Sequence, residues 1–117
     1  QIHMNIPKTY SEAVQFLDGQ SSKFVKGKVA TQVRRISKDE IALVYHGTNV
    51  VTWKSNGDVT FNSGGYRTRT TKNRMNNGSH FYIYQNRNRW FIAALVEGFG
   101  FPKDFYFKDG ITFQQKI

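Results

Sequence analysis

The spacing of polar and apolar positions changes period several times along this chain. Near the start, Thr9-Tyr-Ser-Glu12 has the pattern of a capping box, in which the Thr hydroxyl accepts from the Glu amide and the Glu side chain reaches back. Ala13, Val14, Phe16 and Leu17 supply an apolar side, and Asp18-Gly19 a stop, so the spacing predicts a short packing helix. Over residues 28–61 the period shortens to that of strands, with β-branched and aromatic runs separated by turn residues. Val29 and Val33 precede a turn at Ser37-Lys-Asp-Glu40, Ile41, Leu43 and Tyr45 follow it, and Gly47 interrupts the run before Val50, Val51 and Trp53. Ser55-Asn56-Gly57-Asp58 reads as a hairpin turn, because Asn-Gly tolerates the positive φ angles of a tight primed turn. Residues 59–62 then return as a strand.

A glycine pair, Gly64-Gly65, ends that strand, and Thr68 or Thr70 can cap a second short helix that runs through Met75 and stops near Asn77-Gly78. Residues 81–84 and 90–95 form a candidate hairpin around Gln85-Asn-Arg-Asn88, and residues 105–107 and 111–113 another around Lys108-Asp-Gly110. The expected fold class is α+β: an antiparallel sheet of about five to seven short strands with two short helices, in a single compact domain. Gln1-Ile2-His3 reads as an extension ahead of a natural start at Met4, so the domain is taken as residues 4–117.

Composition narrows the function. Aromatic residues make up 15% of the chain, with ten Phe, six Tyr and two Trp, so buried area comes mainly from rings. A chain of 117 residues still buries a modest fraction of its surface, which favours a homo-oligomer that covers leftover aromatic area. The absence of cysteine excludes disulfides, thiolate catalysis and Cys-based zinc sites, and fits a reducing compartment such as the cytoplasm. No apolar run reaches membrane-spanning length, so no membrane partner is expected. Seventeen Lys and Arg against eight Asp and Glu give a formal charge of +9. More telling, residues 59–96 contain no acid, while Arg67, Arg69, Lys72, Arg74, Arg87 and Arg89 fall inside that window. Such a field concentrates anions.

Candidate chemistry gathers between Asn62 and Asn76. Glycines after a strand let backbone amides approach a ligand closely, and the following helix start offers unpaired amides at a positive dipole end. Arg67, Arg69, Lys72 and Arg74 add charge, and Thr68, Thr70 and Thr71 add hydroxyls, so one turn of chain can surround a phosphate. The competing reading is an ordinary strand-to-helix connection with a threonine cap. Neither a Walker loop nor a dinucleotide fingerprint occurs, so nucleotide hydrolysis has no support. Tyr66, Phe81, Tyr82, Tyr84, Trp90 and Phe91 interleave with the basic residues, and rings beside arginines can stack on bases. Alternation limits this: if Phe81 and Ile83 face the core, Tyr82 and Tyr84 face outward. Arg34 and Arg35 project to opposite faces of their strand, and His46 and His80 are unspecific. Paired carboxylates, an oriented histidine and metal-ligand spacings are all missing, so no catalysis, metal or cofactor is expected.

The core of residues 59–76, with the pattern N-x-G-G-[YW]-x-T-x-T-T-K-x-R-[MI]-N, preceded by Tyr45-His46-Gly-Thr48 and Val50-Val51, resembles the phage sponge proteins that defeat the Thoeris defence system. The resemblance covers the middle of the chain. It implies an oligomeric, non-catalytic protein that sequesters a cyclic ADP-ribose signal, and in some cases cyclic oligonucleotides, at protomer junctions. The matched positions are Asn62, Gly64, Gly65, Arg67, Thr70, Lys72 and Arg74, with a stacking ring from Tyr66 or Trp90. Three functions therefore stand side by side: a sponge for a small anionic nucleotide ligand, a basic module for single-stranded nucleic acid, and a factor whose basic face inhibits an acidic host protein.

Overall fold

Thr9 Oγ1 accepts from the Glu12 amide at 3.1 Å, and helix α1 (Tyr10–Leu17) starts where the capping pattern places it. The Glu12 carboxylate reaches one residue past the cap, to the Lys8 amide at 2.9 Å. Ala13, Phe16 and Leu17 are buried, and the left-handed residue that ends the helix is Asp18 (φ 49°), followed by Gly19 (φ 86°). The computed structural model describes residues 6–95 and 100–115. Its further elements are β1 (Ser22–Phe24), β2 (Thr31–Ser37), β3 (Glu40–Tyr45), β4 (Thr48–Lys54), β5 (Asp58–Phe61), α2 (Arg69–Asn77), β6 (Tyr82–Asn86), β7 (Arg89–Ala94), β8 (Lys103–Tyr106) and β9 (Ile111–Gln114). The class is α+β with antiparallel pairing throughout, and the described residues hold nine strands in two sheets.

The larger sheet has the order β1-β2-β3-β4-β5-β9 and the smaller one β6-β7-β8. Two departures from the sequence reading matter. Val29 lies in the turn before β2, 76% exposed, because the chain first makes the short strand β1 and needs left-handed backbone at Ala30 (φ 53°) to return. The tail does not close as a hairpin either. β8 pairs with β7 and β9 with β5, so residues 107–110 bridge the two sheets. Phe107 donates its amide to the Trp90 carbonyl at 3.0 Å and Gly110 to that of Phe61 at 2.8 Å, which pulls the two halves of the turn apart.

The core runs between the large sheet and the helices: Val33, Ile41, Leu43, Val51, Trp53, Val59 and Phe61 from the sheet meet Phe16 and Leu17 of α1 and Met75 of α2. Ile83, Trp90 and Ile92 of the small sheet join the same cluster. The Trp53 indole N–H donates to the Gly78 carbonyl at 2.9 Å. Gly78 closes α2 at φ −97°, not in the left-handed region, and a Cβ there would lie 2.9 Å from Leu43 Cδ2, so close approach is what requires glycine. The Lys8 ammonium donates to the carbonyls of Asn76, Asn77 and Ser79 at 3.3, 3.1 and 3.2 Å, satisfying the end of α2 where a cation also suits the dipole.

Candidate functional site

Asn62 and Ser63 decide what the glycine pair does. The Asn62 side chain accepts from the Gly64 amide at 2.8 Å, Ser63 Oγ accepts from the Gly65 amide at 3.2 Å, and the Tyr66 amide donates to the Ser63 carbonyl at 3.0 Å. Amides expected to be open to an anion are therefore occupied by their own neighbours, because Asn and Ser at the start of a turn bond the backbone two residues on. Ser63 is in turn held by Asp109, which accepts from its amide and its hydroxyl, both at 2.8 Å. Arg67 Nε donates to Ser63 Oγ at 3.1 Å, its guanidinium lies 4.0 Å from the Asp109 carboxylate, and it sits 5.0 Å from the ring centres of both Trp90 and Phe107. Arg67 thus ties the connection to the bridging turn. Of the two candidate caps the helix uses Thr68, which accepts from the Thr71 amide at 3.2 Å.

A cavity of about 340 Å³ opens between this connection and the end of the β3–β4 hairpin. Tyr45, His46, Thr48 and Val50 form one wall, and Ser63, Tyr66, Thr68 and Thr71 the other. The hairpin presents its wall because His46 (φ 49°) and Gly47 (φ 80°) make a two-residue turn with positive φ at both positions. A register shift between Leu43 and Val44 leaves Val50 as an extra, bulged residue on β4. Gly64 lets the two walls meet: it is left-handed (φ 64°), and a Cβ there would stand 2.5 Å from Thr48 Oγ1.

Arg74 lies one turn along α2 from Thr71 of the cavity wall and is only 7% exposed. Its Nε donates to Thr31 Oγ1 and its Nη1 to Asn73 Oδ1, both at 2.9 Å, and the guanidinium sits 5.5 Å from the centre of the Tyr45 ring. Among the described residues no carboxylate pairs with it. A buried cation without a counter-charge carries a desolvation cost that neutral acceptors and a ring face only partly offset.

A scan against family models matches residues 6–114 to the family described as Kyanoviridae Gp96 protein. The chain belongs to that family. It is accordingly a phage protein. Neither the curated proteins nor the solved structures yielded a match.

The residues singled out in this Gp96-family chain divide into three groups. Tyr66, 70% exposed, lines the cavity, and Arg74 meets it through Tyr45, on whose ring its guanidinium packs. Asn62, Gly64, Gly65 and Arg67 build the connection that forms one wall, while Thr70 is half-buried on the first turn of α2. Lys72 and Trp90 lie elsewhere: Lys72 donates to Gln85 Oε1 at 3.3 Å, and Trp90 is 5% exposed beneath the Arg67 and Lys72 cations. Tyr45 and Thr48 are wall residues carried by the motif Tyr45-His46-Gly-Thr48 but not marked by it, and nothing local to Asp109 signals its role. The window without acids in sequence is not without acids in space, since Asp109 enters it from the tail and Asp104 approaches Tyr84. Partial burial and then the Asp104 carboxylate raise the Tyr84 hydroxyl above its ordinary pKa of 10.0.

Proposed function

We propose that the protein binds a small anionic nucleotide without transforming it, with Arg74 supplying the buried charge against the cavity wall and the hydroxyls of Thr48, Thr68 and Thr71 completing the ligand's hydrogen bonds. The observation that carries this reading is a hydroxyl-lined cavity whose wall residue Tyr45 packs on the buried guanidinium of Arg74, which has no acidic partner among the described residues. A ligand phosphate would supply the missing counter-charge in a desolvated setting, where charge-assisted bonds are strong. The cavity volume of about 340 Å³ falls at the small end of ligand sites, which suits one compact nucleotide better than a polymer. Tyr45 and Tyr66 offer rings to a base. Among the described residues no carboxylate lines the cavity, which favours holding over hydrolysis.

The resemblance to anti-Thoeris sponges supplies the ligand class, a cyclic ADP-ribose type signal, and with it a counter-defence role in the cytoplasm of the host cell. A second copy of the chain over exposed Tyr66 would close the open side of the cavity, in keeping with a homo-oligomer. Calorimetric titration with cyclic ADP-ribose isomers, cyclic dinucleotides and cyclic trinucleotides tests the reading, with mass analysis of the recovered ligand. Expected is saturable binding of one of these classes and return of the ligand intact. Heatless titrations with all of them, or recovery of a cleaved product, would overturn it.

A further inference from the structure

The small sheet turns one face to the core and leaves a row of rings on the other. Ile83, Trp90 and Ile92 point inward and are buried, so by alternation Tyr82, Tyr84, Phe91 and Tyr106 share the outer face. Register places Tyr84 opposite Phe91 and Phe91 opposite Tyr106. The four rings form one continuous row, with centroids 5.6 Å apart from Tyr82 to Tyr84, 5.4 Å from Tyr84 to Phe91 and 5.2 Å from Phe91 to Tyr106. Both ends are open to water, Tyr82 being 60% exposed and Tyr106 66%. Rings packed on each other and yet left uncovered are an exposed apolar patch of the kind that marks an interaction site.

Cations flank the row on both sides. Toward α2, a shallow groove of about 330 Å³ is lined by Arg69, Lys72, Asn73, Tyr82, Tyr84 and Gln85. At the other end the Arg89 guanidinium sits 5.8 Å from the centre of the Tyr106 ring. We infer that this face binds single-stranded nucleic acid, with bases stacking on the end rings Tyr82 and Tyr106 and phosphates running past Arg69, Lys72 and Arg89. Stacking rings combined with a cationic groove are what sequence-tolerant single-strand binding requires. A self-complementary contact between two copies would instead bring these cations toward one another on a chain of formal charge +9. Asp104 puts a carboxylate beside Tyr84 on the same face, which the phosphates must avoid. This surface is separate from the cavity, which lies at the other edge of α2 beneath Thr68 and Thr71.

Fluorescence anisotropy of labelled fifteen-residue oligo-dT and oligo-U with the full chain tests the inference. Binding is expected at 50 mM salt, weakening about twentyfold at 200 mM if roughly three phosphates are neutralised. Tyr82→Ala and Tyr106→Ala should each weaken it about tenfold or more. Both side chains are exposed, so melting temperatures should not move. Duplex DNA of the same length, whose base faces are covered, should bind more weakly. Arg74→Met should leave oligonucleotide binding intact, and the tyrosine variants should leave any small-nucleotide binding intact, so the two sites fail separately. No oligonucleotide binding at 50 mM salt, or binding unchanged in the Tyr82→Ala Tyr106→Ala double variant, would sink the proposal. So would the discovery that the same pair of substitutions abolishes self-association of a protein that ignores oligonucleotides.

Discussion

Arg74 is held by groups that would not suffer greatly from its loss. Thr31 Oγ1 still donates to the Val29 carbonyl at 2.8 Å, and Asn73 Oδ1 still accepts from Asn77 at 3.0 Å. Replacing a buried ion by an apolar side chain of similar length is often neutral or stabilising. Arg74→Met is therefore expected to change unfolding free energy by no more than about 1 kcal/mol in urea titrations. Its effect should fall on the cavity, where nucleotide affinity drops at least tenfold as the buried charge disappears, about 1.4 kcal/mol or more. Gly64 is the opposite kind of residue, needed for shape alone. Gly64→Ala meets both a left-handed backbone and Thr48 at 2.5 Å, whereas Gly65→Ala (φ 86°) meets open space. Denaturant unfolding should show a loss of about 2 to 3 kcal/mol at Gly64 and about 1 kcal/mol at Gly65.

The strand-to-helix connection works as one element because Asp109 organises it from a distant part of the chain. Its carboxylate accepts from Ser63, whose hydroxyl accepts in turn from Gly65 and Arg67. Asp109→Ala leaves the Ser63 amide without its acceptor and should cost about 1 to 3 kcal/mol in stability. Amide hydrogen exchange should accelerate at Ser63, Gly65 and Tyr66, and affinity for the cavity ligand should fall several-fold as one wall loosens. The same spread of exchange rates in variant and parent would show that the connection holds itself. Helix α2 depends on equally remote support: Lys8 caps its last carbonyls, and Asn76 both donates to and accepts from the backbone of Ile83, fastening β6 alongside.

At the scale of the whole molecule, the tail decides whether two sheets act as one. β9 completes the edge of β5, and Phe113 packs on Phe81 at 5.4 Å and on Phe105 at 5.2 Å, touching the small sheet from the large one. The Gln115 side chain adds bonds to the Lys8 carbonyl at 2.8 Å and the His80 amide at 2.9 Å. Phe113→Ala should remove about 2 to 3 kcal/mol, less than a fully buried ring would. Near-ultraviolet and far-ultraviolet circular dichroism should still report one transition at one midpoint, since the core is continuous. Separate midpoints would mean that the sheets unfold independently.

Local chemistry was legible in residues that act on near neighbours. The Thr9 cap, the alternation of Tyr82 and Tyr84 against Ile83, and the extent of α2 depend on contacts within a few positions, so their patterns determine them. The same holds for the place of the turn at Asn56-Gly57, although only Gly57 (φ 99°) takes the positive φ that a primed turn needs at both residues. The α+β class follows from the same local signals. What only the tertiary structure decided depends on long separations in sequence. Nothing near Asp109 announces that it will seize Ser63, and nothing around residues 105–113 says that its two strands will join different sheets, because each outcome is a competition among partners tens of residues away. The glycine pair shows both halves of this. Its conformational freedom was evident from composition, whereas the fate of its amides was settled by side chains already close enough to bond them. The cavity beside it exists because folding brings a histidine turn and a threonine cap to face each other.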